Sequence, residues 1–241
     1  MARAMARGWG DPVLCSDSGS GRAAALAAEL GGRATSNREV AEEAELVILC
    51  HKPYQFDDVA REISGSVKAV ASVLGSIPIA QLRSAYSDVP VFRLIPNTPV
   101  EVRQGVVCYS PADRVDRELE RGVLALFERL GSVVTVPERL LAAAAAVMSV
   151  GPAYQALLAE AQVDAGVRYG LSAALASKLV AETMSGTAAL LRTRDYDTLA
   201  VRREVTSPGG STARGLQALE AGGVRSAFQS AIDRVCGEPA R

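Results

Sequence analysis

Residues 205 to 212 read Val-Thr-Ser-Pro-Gly-Gly-Ser-Thr and lie between two helical patterns. Pro208 fixes one φ angle, and Gly209 and Gly210 can take positive φ, so the backbone can turn tightly here. Ser211 or Thr212 can cap the helix that runs on to about Ala221. The free amides of that helix start, with the hydroxyls of Ser207, Ser211 and Thr212 beside them, suit a carboxylate or phosphate. A helix-helix turn with an N-cap accounts for the same residues without any ligand.

Other residues with chemical potential sit at the ends of apolar runs. Cys50, His51, Lys52 and Pro53 close the run that begins at Leu46. Ligands of an open parallel sheet bind beyond the carboxyl ends of its strands, which is where Lys52 falls. A surface lysine held at a proline turn is the alternative. Asn97 stands among Pro96, Thr98 and Pro99, where its amide can serve a ligand or the turn itself. Asn37, with Ser36 before it, can cap a helix. Ser16, Asp17 and Ser18 end a short strand, where an adenosine ribose would be read. An acidic residue there favours NAD, and hydroxyls with a cation, here Arg22, favour NADP. Glu138 can place a favourable charge in a first helical turn.

The elements that must position these residues change character at Pro137. Up to there, strand-like runs (13–16, 33–35, 46–50, 67–73, 89–94, 106–109 and 133–136) alternate with helical ones. That alternation predicts a mainly parallel sheet with helices on both faces. From Glu138 onward the pattern is almost wholly helical. Two domains are therefore expected, 1–136 and 137–241. A doubly wound nucleotide-binding sheet opens with a strand, a glycine-rich turn and a helix. This chain opens at the helix, Met1 to Trp9, so the first strand and its G-x-G-x-x-G turn are expected to be missing. The runs 13–16 and 46–50 would then flank an empty slot.

Composition narrows the class. The 241 residues carry 26 basic and 27 acidic side chains, a balance that gives no reason to expect nucleic acid or a polybasic membrane contact. No apolar run is expected to reach the length of a membrane span, and the start lacks the apolar core of a signal peptide. The one histidine rules out a multi-histidine metal site, and no metal is expected. The four cysteines form no CxxC pair and read as reduced thiols of a cytoplasmic protein.

Read together, the motifs resemble one family over essentially the whole chain. They are the 205–212 loop continuing as Ala-Arg-Gly-Leu-Gln-Ala-Leu-Glu, Lys52-Pro53, Pro96-Asn97-Thr98-Pro99, and Gly151-Pro152-Ala153-Tyr154. Ala165-Gly166, Gly170-Leu171 and Thr183 with Gly186-Thr187 follow at matching spacing. The family is pyrroline-5-carboxylate reductase. The resemblance implies an N-terminally truncated Rossmann-type sheet followed by an all-helical dimerisation domain. It implies hydride transfer from NADPH or NADH to the C=N carbon of 1-pyrroline-5-carboxylate, giving L-proline. It assigns cofactor contacts to Ser16, Asn37, Cys50, His51, Lys52, Pro53 and Asn97, and substrate contacts to Glu138, Ser207, Ser211 and Thr212. Thr212 is the catalytic choice, orienting and polarising the imine. A homodimer or ring of dimers through the helical half is implied. Met148-Ser149-Val150 replaces the family's Ser-Gly-Ser, and His51 replaces an apolar residue. A related imine substrate, or a non-catalytic dimeric homologue without cofactor binding, are the alternatives. The chain as it stands is expected to bind nicotinamide cofactor poorly.

Overall fold

The computed structural model describes residues 1–111 and 115–237. They form two compact units, Met1–Pro152 and Ala153–Arg241. In the first, α1 (Ala2–Trp9), β1 (Leu14–Cys15), α2 (Arg22–Leu30), β2 (Arg33–Ala34) and α3 (Asn37–Glu43) come first. Then follow β3 (Val47–Leu49), α4 (Phe56–Ile63), β4 (Val70–Ser72), α5 (Ile79–Ala85) and β5 (Val91–Pro96). The unit closes with β6 (Gly105–Ser110), α6 (Arg117–Glu128), β7 (Gly131–Thr135) and α7 (Leu141–Met148). Although α7 follows Pro137, it packs with this unit: Leu141 joins Ile95 and Cys108 in a small buried cluster.

The sheet is in two pieces. Strands β3-β4-β5-β6-β7 form one, and β1 and β2 pair in parallel as a separate two-stranded sheet, Leu14 opposite Arg33. Among the described residues no ladder joins β1 to β3, which is the interruption expected between those strands. Residues 2–9 are helical, with Met1 at the N-cap and Gly10 ending the helix in the left-handed region. All pairings are parallel except β5 with β6, where Leu94 lies opposite Tyr109.

Helices cover both faces because successive strand residues point to opposite sides. Val70 and Val91 pack with Leu49, Phe56, Ile63 and Leu82 on the α3–α5 side. Their neighbours Ala71 and Phe92 pack with Met5, Val123 and Phe127 on the α1–α6 side. α1 lies close on the turn after β5: a Cβ at Gly8 would run into the Val100 carbonyl oxygen and the Leu130 side chain. This is a Rossmann-type sheet, with the helical half of the chain following it.

The second unit holds most of α8 (Gly151–Arg168), then α9 (Ala173–Arg192), α10 (Thr198–Glu204), α11 (Ser211–Ala221) and α12 (Val224–Cys236). Only Ala176 and Val201 are fully buried apolar residues among those described in it. Leu157, Leu175, Leu179 and Leu219 are all exposed. One sequence expectation needs correction here. The stretch Glu138–Arg168 is apolar and long enough to cross a membrane, by length and composition alone. Its many alanines raise the mean hydropathy without forming an uninterrupted run of large apolar residues.

Candidate active site

In the first unit the candidate residues collect at strand ends. Ser16 Oγ, just past β1, donates to Asn37 Oδ1 at 2.6 Å, and Asn37 Nδ2 donates to Glu62 at 2.7 Å. Asn37 is not the cap of α3. Ser36 is, accepting from the Glu39 amide while the Glu39 carboxylate accepts from the Ser36 amide. The Asn37 amide is thereby free to link β1 to α4.

Asp17 does not stand open to a ribose. Its Oδ1 accepts from the amides of Gly19 and Ser20 at 2.7 and 2.9 Å. Its Oδ2 accepts from the Ser20 hydroxyl at 3.0 Å and the Ala23 amide at 2.7 Å. These donors, the Ala23 amide foremost, hold its carboxyl down to about 2. Arg22 and the Ser18 hydroxyl remain as the polar groups of this turn, with Arg22 Nε donating to Ser20 Oγ at 3.0 Å. An open cavity of about 330 Å³ lies between Asp17, Gly19, Gly21, Ala34 and Thr35. A second cavity of about 350 Å³, between α4 and α5, holds none of the candidate residues.

At the end of β3, burial pushes the Cys50 thiol up to about 12, so it is a packing group and not a nucleophile. His51 Nδ1 lies 2.9 Å from the Lys52 carbonyl oxygen. A carbonyl only accepts, so Nδ1 carries the proton and Nε2 keeps a lone pair. That Nε2 is buried with no partner among the described residues. The exposed Lys52 makes no ion pair among the described residues, and Pro53 opens a short 3-10 turn whose Gln55 side chain accepts from the Lys52 amide.

At the end of β5, Asn97 is buried and braced. Its Oδ1 accepts from the Val106 amide at 2.8 Å, and its Nδ2 donates to the Met148 carbonyl at 3.1 Å. One amide hydrogen is left over for a ligand. Glu138 Oε1 accepts from the Ile79 amide at 2.7 Å and from Arg93 Nη1 at 2.5 Å.

In the second unit, the 205–212 loop turns through Ser207–Gly210, with the Gly210 amide donating to the Ser207 carbonyl at 3.0 Å. Gly209 has φ 69°, and a Cβ on Gly210 would meet the Ser207 side chain, so both glycines are required. Gly210 is the N-cap of α11 and supplies no side chain; Ser211 and Thr212 are its first two residues. The expectation that Ser211 or Thr212 caps this helix is therefore corrected. Both lie inside the helix, where a side chain does not reach the N2 and N3 amides as a cap does. Their hydroxyls and that of Ser207 are exposed and make no hydrogen bond among the described residues. The first amides of α11 are unused in the same way.

Both halves of the chain are similar to known proteins. The family model for pyrroline-5-carboxylate reductase dimerisation matches residues 138–238, and one for coenzyme F420-dependent NADP oxidoreductases matches residues 1–75. The pyrroline-5-carboxylate reductase of Synechocystis is 35% identical over 198 residues, covering 81% of this chain and 74% of that protein. The chain belongs to the pyrroline-5-carboxylate reductase family. The Mycobacterium tuberculosis member is 36% identical over 225 residues, covering 82% of this chain and 76% of that protein. Among solved structures, the Plasmodium falciparum pyrroline carboxylate reductase with NADP bound superposes with a TM-score of 0.85 at 26% identity. It covers 97% of this chain and 90% of that one. The Streptococcus pyogenes enzyme gives 0.86 at 27%, covering 98% and 93%.

As a member of this family the chain needs a nicotinamide dinucleotide, and its residues fit one in part. The cavity beside Asp17, the free Lys52 ammonium and the unpartnered His51 Nε2 lie on the first unit's strand ends. Arg93 was missed from the sequence. The signal was there: it is the only charged residue in the run 89–96.

Proposed function

We propose that this protein reduces 1-pyrroline-5-carboxylate to L-proline with NADPH or NADH. The observation that carries this reading is the start of α11: unused amides with three free hydroxyls, Ser207, Ser211 and Thr212. The helix dipole and these donors suit the substrate carboxylate. Thr212 is assigned the imine nitrogen, as a hydrogen-bonding group that orients and polarises it. Ser16, Asn37, Cys50, His51, Lys52, Pro53 and Asn97 are assigned to the cofactor side, and Glu138 to the substrate side. Cys50 contributes apolar surface, Lys52 charge, and His51 an acceptor. The chemistry the nicotinamide supplies when bound is hydride transfer to the C=N carbon.

Residues 1–136 are assigned to cofactor binding, and 137–241 to substrate binding and assembly. The match to a dimerisation domain and the scarcity of buried apolar residues in the second unit support association through the helices, as a homodimer or a ring of dimers. A cytoplasmic location fits the reduced cysteines. The test is a coupled measurement of NADPH oxidation and proline formation from 1-pyrroline-5-carboxylate. Turnover is expected. Absence of proline formation with saturating NADPH and with saturating NADH would overturn the assignment and favour a non-catalytic homologue.

A further inference from the structure

Every residue of β5 is buried, and Arg93 is the charged one among them. It is 8% exposed. Its Nη1 donates to Glu138 Oε1 at 2.5 Å and its Nη2 to the Gly75 carbonyl oxygen at 2.7 Å. The same Oε1 accepts from the amide of Ile79, the first residue of α5, whose N-cap Pro78 offers no side-chain acceptor. Arg93 Nε is buried without a partner among the described residues.

This is a poor way to stabilise a sheet. An apolar side chain of similar volume usually serves a buried position as well as an ion pair does, and here one donor is left unsatisfied. What the guanidinium does, and an apolar residue would not, is hold three points together. It fixes the Gly75 carbonyl, the Glu138 carboxylate and, through that carboxylate, the Ile79 amide. Those points bracket the loop leaving the carboxyl end of β4, beside the strand ends that carry the candidate cofactor residues. Pinning Oε1 also sets the direction of Oε2 on a side chain that is 39% exposed.

We infer that Arg93 is a positioning residue: it holds the 75–79 loop against the sheet and orients Glu138 so that its second carboxylate oxygen serves the substrate. This rests on the reductase reading above. Nothing in it requires Arg93 to touch substrate or cofactor.

The test uses Arg93→Met, Arg93→Lys, Glu138→Gln and the double variant Arg93→Met/Glu138→Gln in the full chain. Amide exchange of the segment 74–80 is followed alongside melting and steady-state kinetics. Arg93→Met is expected to melt close to the parent while that segment exchanges about tenfold faster. The KM for 1-pyrroline-5-carboxylate should rise about tenfold with kcat within about twofold. Arg93→Lys should recover part of both effects, and the double variant should be no worse than Arg93→Met, because the two residues act as one unit. Should Arg93→Met fail to fold, Arg93→Lys and Glu138→Gln carry the same two readouts. A fall in melting temperature with unchanged segment exchange and unchanged KM would overturn the proposal and leave a purely structural ion pair. If the parent itself does not turn over, the reductase reading fails, and the exchange data then decide whether Arg93 holds the loop.

Discussion

Asp17 has four donors on its two oxygens, and its carboxyl is held down to about 2 from an ordinary 3.8. The unfolded chain takes up this proton first as pH falls, so the folded state gains from the ionised group above 3.8 and loses that gain as pH drops through about 2. Asp17→Asn should therefore lower the melting temperature at neutral pH, and the gap to the parent should close in acid. A gap that stays constant from pH 7 into strong acid would show that the carboxylate does not cap this turn. Tyr86 offers the opposite case. Its hydroxyl is buried without a partner among the described residues, and burial pushes it up to about 12. Tyr86→Phe should be neutral or stabilising by about 1 kcal/mol in chemical denaturation, whereas a hydroxyl with a hidden partner would make it destabilising. Thr212 is not a cap, so Thr212→Ala should cost only tenths of a kcal/mol in stability, well short of the ~1 kcal/mol of a lost cap. Turnover should nevertheless fall about 10- to 1,000-fold if the hydroxyl orients the imine. Wild-type turnover in both Thr212→Ala and Thr212→Asn would remove it from the site. At this scale the sequence shows which residues carry polar groups but not what they touch. Asp17 reads as a ribose acceptor until the Ala23 amide, six residues on, is seen to occupy it.

Helices and strands were largely legible, because period and punctuation are local properties. α2 begins at Arg22 and ends at Leu30, closed by Gly31 in the left-handed region, a punctuation that the Gly31-Gly32 pair makes visible in the sequence. Less legible was strand direction, although one clue was present. The connection from Pro96 to Gly105 is too short for a parallel crossover, and β5 and β6 are indeed antiparallel. Ser36, next to Asn37, caps α3, and Gly210, ahead of Ser211 and Thr212, caps α11; serine, threonine and asparagine all suit a cap, and only geometry chooses. α1 holds its place by close approach: Arg103 Nε donates to the Gly8 carbonyl at 2.6 Å, and the space beside Gly8 is filled. Gly8→Ala should destabilise the first unit by about 1–3 kcal/mol, the usual cost of overpacking. An unchanged denaturation midpoint would mean that α1 can slide without loss.

For the molecule as a whole, the sequence showed the change of pattern at Pro137 but not how little the helical half buries by itself. Alternating apolar residues look the same whether they face their own core or a second copy. With Leu157 at 64% and Leu179 at 50% exposure, the second unit is short of a core of its own. Leu179→Asp should shift light-scattering mass toward the monomer and lower the melting temperature; an unchanged mass would place the interface elsewhere. The division into two units also affects how unfolding will look. The chain has one tryptophan, Trp9, half-buried against Phe127 with ring centroids 5.6 Å apart, and its indole N–H donates to the Leu126 carbonyl at 2.8 Å. Tryptophan emission, excited where tyrosine does not absorb, therefore has no fluorophore in residues 153–237 and reports on the seating of α1 against α6. Circular dichroism reports every helix. If the units come apart in separate steps, the two optical signals will trace different curves on one sample, and dilution will move the dichroism curve more than the emission curve.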